Sequence, residues 1–185
     1  MNLVLVGYRG TGKTSVGRLL AAELHRPFLD SDERVKAAAG KSVQEMVAEK
    51  GWDFFRREEK RIIAELSGED GCVVALGGGA VMEEENVRNL RERGLFIWLT
   101  AGAETIAGRL NRDAGNREQR PSLTGKDPDE EIKSLLKARE PFYAKIADCR
   151  IDTSERSIAE VAAEVLRFLD KGAKADRRRG KQNGG

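Results

Sequence analysis

The apolar run Leu3-Val-Leu-Val6 passes directly into Gly7-Tyr-Arg-Gly-Thr-Gly-Lys13-Thr14. These eight residues fit the pattern G-x-x-x-x-G-K-[ST], in which every fixed position has a physical task. Gly7, Gly10 and Gly12 permit backbone angles closed to residues with a Cβ, so successive N–H groups can turn inward around a phosphate. Lys13 brings a cation to the β- and γ-phosphates, and the Thr14 hydroxyl can take a coordination place on Mg²⁺. Val16, Leu19, Leu20 and Leu24 follow with helical spacing. A bound anion would then sit at the positive end of a helix. Strand, loop and helix in this order imply a site for a nucleoside triphosphate.

The chain has 185 residues, which suits one α/β domain with a five- or six-stranded sheet. Its 33 Lys and Arg nearly balance 31 Asp and Glu, and the net charge of +2 argues against nucleic acid as the main partner. No apolar run approaches the roughly 20 residues of a membrane span, and a strand at residue 3 leaves no room for a signal peptide. A cytoplasmic protein is expected. Cys72 and Cys149 lie in separate strand-like runs, without metal-ligand spacing, and read as buried free thiols. The lone His25 falls at the end of the first helix and reads as solvent-facing.

Strands are predicted at residues 2–7, 27–30, 72–76, 95–99 and up to 153, and helices at 13–25, 33–39, 83–93, 105–110, 129–146 and 157–169. Ser42-Val-Gln-Glu45 has capping-box spacing, so a further helix starts there and stops before Gly51. From Trp52 on, Phe55, Ile62, Ile63 and Leu66 share one helix face, with Arg56 and Glu59 three apart beside it. Residues 111–126 carry Arg112, Arg117 and Arg120 with almost nothing to bury, the composition of a mobile surface segment. Residues 171–185 are basic and Gly-rich, and disorder is expected there. Alternating strands and helices give a parallel sheet covered on both faces, with ligands at the carboxyl ends of its strands.

The strand ends are therefore informative. The second closes on Asp30-Ser-Asp32 and the third on Gly77-Gly-Gly79. A Mg²⁺ site in such a loop wants a carboxylate nearby, and this pair is the natural source. In extended chain the two side chains point to opposite faces, so one is expected to serve the metal and the other the acceptor hydroxyl. Helix N-capping accounts for one of them equally well. The three glycines would present bare backbone N–H groups to a substrate. Arg56, Arg120 and Arg139 stand apart as forks able to bind carboxylate or phosphate, implying an anionic acceptor beside ATP.

Gly7-x-x-Gly-x-Gly-Lys-Thr14, Asp30-x-Asp32, Phe55-Arg-x-x-Glu59, Gly77-Gly-Gly-Ala80 and Arg120-Pro121, in this order, resemble shikimate kinase over about residues 2–169. The resemblance implies a P-loop NTPase fold, an α/β domain like the nucleoside-monophosphate kinases, with a five-stranded parallel sheet, helices on both faces and a mobile lid. One domain would span 1–170, with a substrate-binding segment at about 31–62 and the lid at about 111–126. The implied reaction moves the γ-phosphoryl of ATP to the 3-hydroxyl of shikimate, on the route to chorismate and the aromatic amino acids. By that resemblance Gly10, Thr11, Gly12, Lys13, Thr14 and Ser15 hold the ATP phosphates, and Thr14 and Asp30 hold Mg²⁺. Asp32 binds the ring hydroxyls and takes the reacting proton. Arg56 and Arg139 clamp the carboxylate, with Gly77, Gly78 and Gly79 beside them. Arg120 covers the transferring phosphoryl, and Arg109 and Arg156 lie near adenine. The implied partner is the small molecule alone, bound by a monomer. The lid reads Arg-Pro-Ser-Leu123 where the family has Arg-Pro-Leu-Leu, which leaves Arg112 and Arg117 as substitutes for Arg120. Another kinase of this fold, such as gluconate kinase, and a P-loop protein that only binds nucleotide are the alternatives.

Overall fold

The computed structural model describes residues 1–112 and 127–182, with side chains through 172. In chain order the elements are β1 (Asn2–Val6), α1 (Lys13–Leu24), β2 (Phe28–Asp30), α2 (Ser31–Ala39) and α3 (Val43–Ser67). Then come β3 (Val73–Ala75), a 3₁₀ turn (Ala80–Met82), α4 (Glu84–Arg91), β4 (Gly94–Thr100) and α5 (Ala103–Arg112). The chain closes with α6 (Pro128–Ile146), β5 (Cys149–Asp152) and α7 (Ile158–Gln182). The five strands form one parallel sheet in the order β2-β3-β1-β4-β5. This is the α/β architecture expected from the strand–helix alternation.

Side-chain alternation splits the core into two layers. Val4, Val6, Val74, Phe96 and Trp98 pack against α3, α4 and α6 on one face. Leu3, Leu5, Val73, Ile97 and Leu99 pack against α1 and α7 on the other. A strand buried on both faces has to be apolar at every position, which is why β1 reads as an uninterrupted run. Gly7 has φ +142, and a Cβ there would run into the Leu99 carbonyl oxygen. The phosphate loop can therefore leave the sheet at this point only through glycine.

Ser42 and Glu45 close the predicted capping box reciprocally, Ser42 N–H to Glu45 Oε2 at 2.7 Å and Glu45 N–H to Ser42 Oγ at 3.2 Å. The expected stop at Gly51 is a kink inside α3, with φ 78 and ψ 171. It re-aims the second half of α3 so that Phe55, Ile62, Ile63 and Leu66 enter the core. The segment read as disordered from residue 171 instead continues α7 as helix to Gln182. Ala, Lys and Arg are strong helix formers, and extending an existing helix avoids the cost of nucleation. No described helix is long and apolar enough to cross a membrane. Cys72 is buried and Cys149 half-buried, both as free thiols, and His25 is an exposed C-cap of α1.

Candidate active site

Three of the cavities at the carboxyl ends of the strands are lined by residues singled out in the sequence. The first is walled by the phosphate loop and lined by Gly10, Gly12, Lys13, Thr14, Ser15, Asp30, Asp32 and Arg109. Lys13 Nζ donates to the carbonyls of Gly7 and Tyr8, both at 2.9 Å. The Thr11 hydroxyl donates to the same Tyr8 carbonyl at 2.7 Å, so the loop is closed on itself.

Asp30 is the helix cap that the sequence allowed for one of the pair, and it also meets the phosphate loop. Its Oδ1 caps α2, accepting from the N–H groups of Asp32 at 3.0 Å and Glu33 at 3.3 Å. Its Oδ2 accepts from the Thr14 hydroxyl at 2.9 Å. The two carboxylates do diverge, but not because the chain is extended. Asp32 already lies in the first turn of α2, and the helix turns it toward the second cavity. Thr14 and Asp30 together offer hard oxygen donors of the kind Mg²⁺ prefers. Among the described residues no cluster of three or more His, Cys, Asp or Glu could hold a metal by itself.

The second cavity is lined by Tyr8, Arg9, Asp32, Val43, Trp52, Phe55, Arg56, Glu59, Gly78, Gly79 and Arg139. Arg56 Nη1 donates to Glu59 Oε2 at 2.5 Å, across one turn of α3. Its guanidinium lies over the rings of Trp52 (5.8 Å) and Phe55 (5.3 Å). Glu59 is only 2% exposed. Burial pushes its carboxyl above the usual range, opposed by the positive charges of Arg56 and Arg139. Arg139 arrives from α6, its guanidinium 5.7 Å from the Tyr8 ring centroid. One turn further on, the buried Tyr143 hydroxyl donates to the Gly78 carbonyl at 2.5 Å, and burial pushes its pKa up to about 12. Tyr143 thus stays a neutral donor that pins the glycine loop.

One of the three backbone N–H donors read from the triple glycine is already engaged: the N–H of Gly77 donates to the Ser31 hydroxyl at 2.8 Å. The motif also supplies room. A Cβ on Gly77 would lie 2.7 Å from Asp32 Oδ1 and 2.9 Å from Glu59 Oε1. One on Gly79 would lie 2.6 Å from Arg56 Nη2, and one on Gly78 would lie 3.4 Å from Arg139 Nη1. Gly77 and Gly79 vacate the space that charged side chains of the cavity fill.

The third cavity, about 220 Å³, lies on the other side of the loop between Arg109, Thr153, Arg156 and Ile158. Arg109 donates through Nη1 to the Gly10 carbonyl (3.1 Å) and the Thr153 hydroxyl (2.9 Å), and through Nη2 to the Thr153 carbonyl (2.5 Å). Arg156 pairs with Glu164 at 2.5 Å. The structure therefore brings Lys13, Thr14, Asp30 and Arg109 to one cavity, Arg56, Gly78, Gly79 and Arg139 to a second, with Asp32 common to both, and Arg156 to the third. Arg117 and Arg120 lie outside the described residues. Arg112, the described substitute, donates back to the Gly108 carbonyl of its own helix at 3.1 Å. Sequence reasoning missed Arg9 and Tyr8, which occupy unfixed positions of the loop pattern, and Tyr143, whose only signal is its place after Pro141.

The family model for shikimate kinase matches residues 9–170. The chain belongs to the shikimate kinase family. It is 47% identical over 174 residues to the shikimate kinase of Syntrophus aciditrophicus, covering 90% of this chain and 89% of that one. To the shikimate kinase of Symbiobacterium thermophilum it is 46% identical over 169 residues, covering 91% and 96%. Among solved structures, shikimate kinase from Acinetobacter baumannii in complex with shikimate is similar, with a TM-score of 0.86 and 33% identity over 92% of this chain and 93% of that one. A member of this family uses ATP.

Proposed function

We propose that this chain transfers the γ-phosphoryl of ATP to the 3-hydroxyl of shikimate, giving shikimate 3-phosphate and ADP. One observation carries the reading: two guanidinium groups from separate helices, Arg56 and Arg139, line one cavity with a carboxylate, Asp32, beside the phosphate loop. Two forks suit the one fixed charge of shikimate, its carboxylate, and Asp32 suits the hydroxyl that reacts. Glu59 and Gly79 hold Arg56 in place, and Tyr143 holds the loop that abuts Arg139. The acceptor is thereby oriented before transfer, which is the larger part of what phosphoryl transfer requires.

Gly10, Thr11, Gly12, Lys13, Thr14 and Ser15 hold the triphosphate, with Lys13 leaving its loop carbonyls for the phosphate oxygens. Arg109 and Arg156 flank the base at the third cavity. Thr14 and Asp30 would hold Mg²⁺, which would neutralise phosphate charge there. Arg120, outside the described residues, would cover the transferring phosphoryl. The reading includes a monomer in the cytoplasm, and an acceptor cavity lined by residues of one chain supports the first of these. The test is ADP release with shikimate, with gluconate and with no acceptor. Release that depends on shikimate supports the reading, while release that depends on gluconate or needs no acceptor contradicts it.

A further inference from the structure

Of all the residues that line the acceptor cavity and the phosphate-loop cavity, two are common to both, Asp32 and Arg9. A phosphoryl group that passes from one cavity to the other crosses between a carboxylate and a guanidinium. The carboxylate already has a task. The guanidinium sits at an unfixed position of the loop pattern, and nothing in the reading above assigns it one.

Arg9 is held as a substrate-facing group would be. Its Nη2 donates to Glu131 Oε1 at 3.1 Å, and Glu131, in the first turns of α6, is only 2% exposed. The guanidinium rests 5.7 Å from the Tyr8 ring centroid. Its Nε is buried and finds no acceptor among the described residues. A buried N–H without an acceptor is costly, unless a ligand oxygen completes it. Arg9 thus has one arm anchored and another donor unsatisfied at the boundary between nucleotide and acceptor.

We propose that Arg9 is a catalytic residue of phosphoryl transfer, donating to an equatorial oxygen of the γ-phosphoryl as it crosses from ATP to the acceptor, and that Glu131 is its positioning residue. The proposal rests on the acceptor reading given above. In the step, the acceptor hydroxyl oxygen bonds to the γ-phosphorus while the bond from that phosphorus to the bridging oxygen breaks. Its electron pair leaves on ADP, and the hydroxyl proton passes to Asp32. Arg9 forms no covalent bond. It offsets negative charge shared by the equatorial oxygens, the quantity a kinase has to stabilise.

The experiment compares Arg9→Met, Arg9→Lys and Glu131→Gln with the wild type. It measures kcat with both substrates saturating, and equilibrium Kd for shikimate and for ADP by tryptophan fluorescence, Trp52 lining the acceptor cavity. Arg9→Met is expected to lower kcat about 10–150-fold, the effect of one charge-assisted hydrogen bond, with both Kd values within about threefold. Arg9→Lys recovers part of the loss, and Glu131→Gln loses less than Arg9→Met. A kcat within about threefold of wild type in Arg9→Met, or a loss confined to either Kd, would overturn the role. If Arg9→Met does not fold, Arg9→Lys decides, and a wild-type kcat in that variant overturns it equally. A wild type that forms no shikimate phosphate would sink the acceptor assignment and this role together. An active wild type beside an equally active Arg9→Met would sink the role alone.

Discussion

The nucleotide side and the acceptor side of this molecule are built by opposite means. The phosphate loop is eight consecutive residues whose shape is held by backbone, with even its cation tied to the carbonyls of Gly7 and Tyr8. The acceptor cavity draws Asp32 from α2, Arg56 and Glu59 from α3, Gly78 and Gly79 from the loop after β3 and Arg139 from α6. There the side chains are placed by one another, through the Arg56–Glu59 pair and the space the glycines leave. A site built from backbone keeps its shape when the side chains at its unfixed positions change. A site of interlocking side chains propagates a change in one residue to the rest.

The first way to break this comparison is at the loop. Lys13→Ala removes a cation without removing buried apolar surface, so turnover is expected to fall about 10³-fold while thermal stability is kept. Kinetics and a melting curve on the same preparation check this, and activity within a few-fold of wild type would remove Lys13 from the chemistry. A smaller effect is expected on the acceptor side. Gly79→Ala puts a methyl against Arg56 Nη2, and the arm has to swing away. The kcat/KM for shikimate should fall about tenfold, while the KM for ATP stays put. An equal loss for both substrates would show that the glycines shape the phosphate site as well.

The third effect is smaller still and depends on pH. Burial raises the Glu59 pKa above its ordinary value of 4.5, so the folded chain protonates this group at a pH where the unfolded chain has already released the proton. In that window the folded state binds more protons, and the contribution of Glu59 to stability falls as pH rises. Function runs the other way, because only the ionised carboxylate anchors Arg56. The kcat/KM for shikimate should therefore drop on the acid side from a pH above 4.5, and Glu59→Gln should flatten that limb. An unchanged acid limb in Glu59→Gln would assign it to another group.

How much of this was legible in the sequence follows the same division. The sheet, its helices and the phosphate loop could be read because each is a local pattern: Leu3–Val6, Gly7–Thr14 and the Ser42–Glu45 box all lie within a few residues. The acceptor site was legible only as scattered candidates, which the family resemblance joined. Nothing local in Gly77-Gly-Gly79 says that Asp32, Glu59 and Arg56 need the space, since those residues lie far from the glycines in sequence. Arg9 escaped for a related reason. A position the loop pattern leaves open carries no signal until the fold sets it between two cavities. The helix beyond residue 171 escaped because low apolar content argues against a packed core, and α7 needs none to extend past Asp170.

The central claim is that Arg56 and Arg139 bind the acceptor carboxylate. Its most direct test compares shikimate with its neutral methyl ester as acceptors for the wild type, Arg56→Ala, Arg139→Ala and the double variant. The wild type should prefer shikimate in kcat/KM by at least the worth of one charged hydrogen bond, about 10–150-fold, and the double variant should treat the two acceptors within about threefold. The KM for ATP should be the same in all four. A wild type that uses the ester as well as shikimate, or a double variant that keeps the preference, would contradict the account.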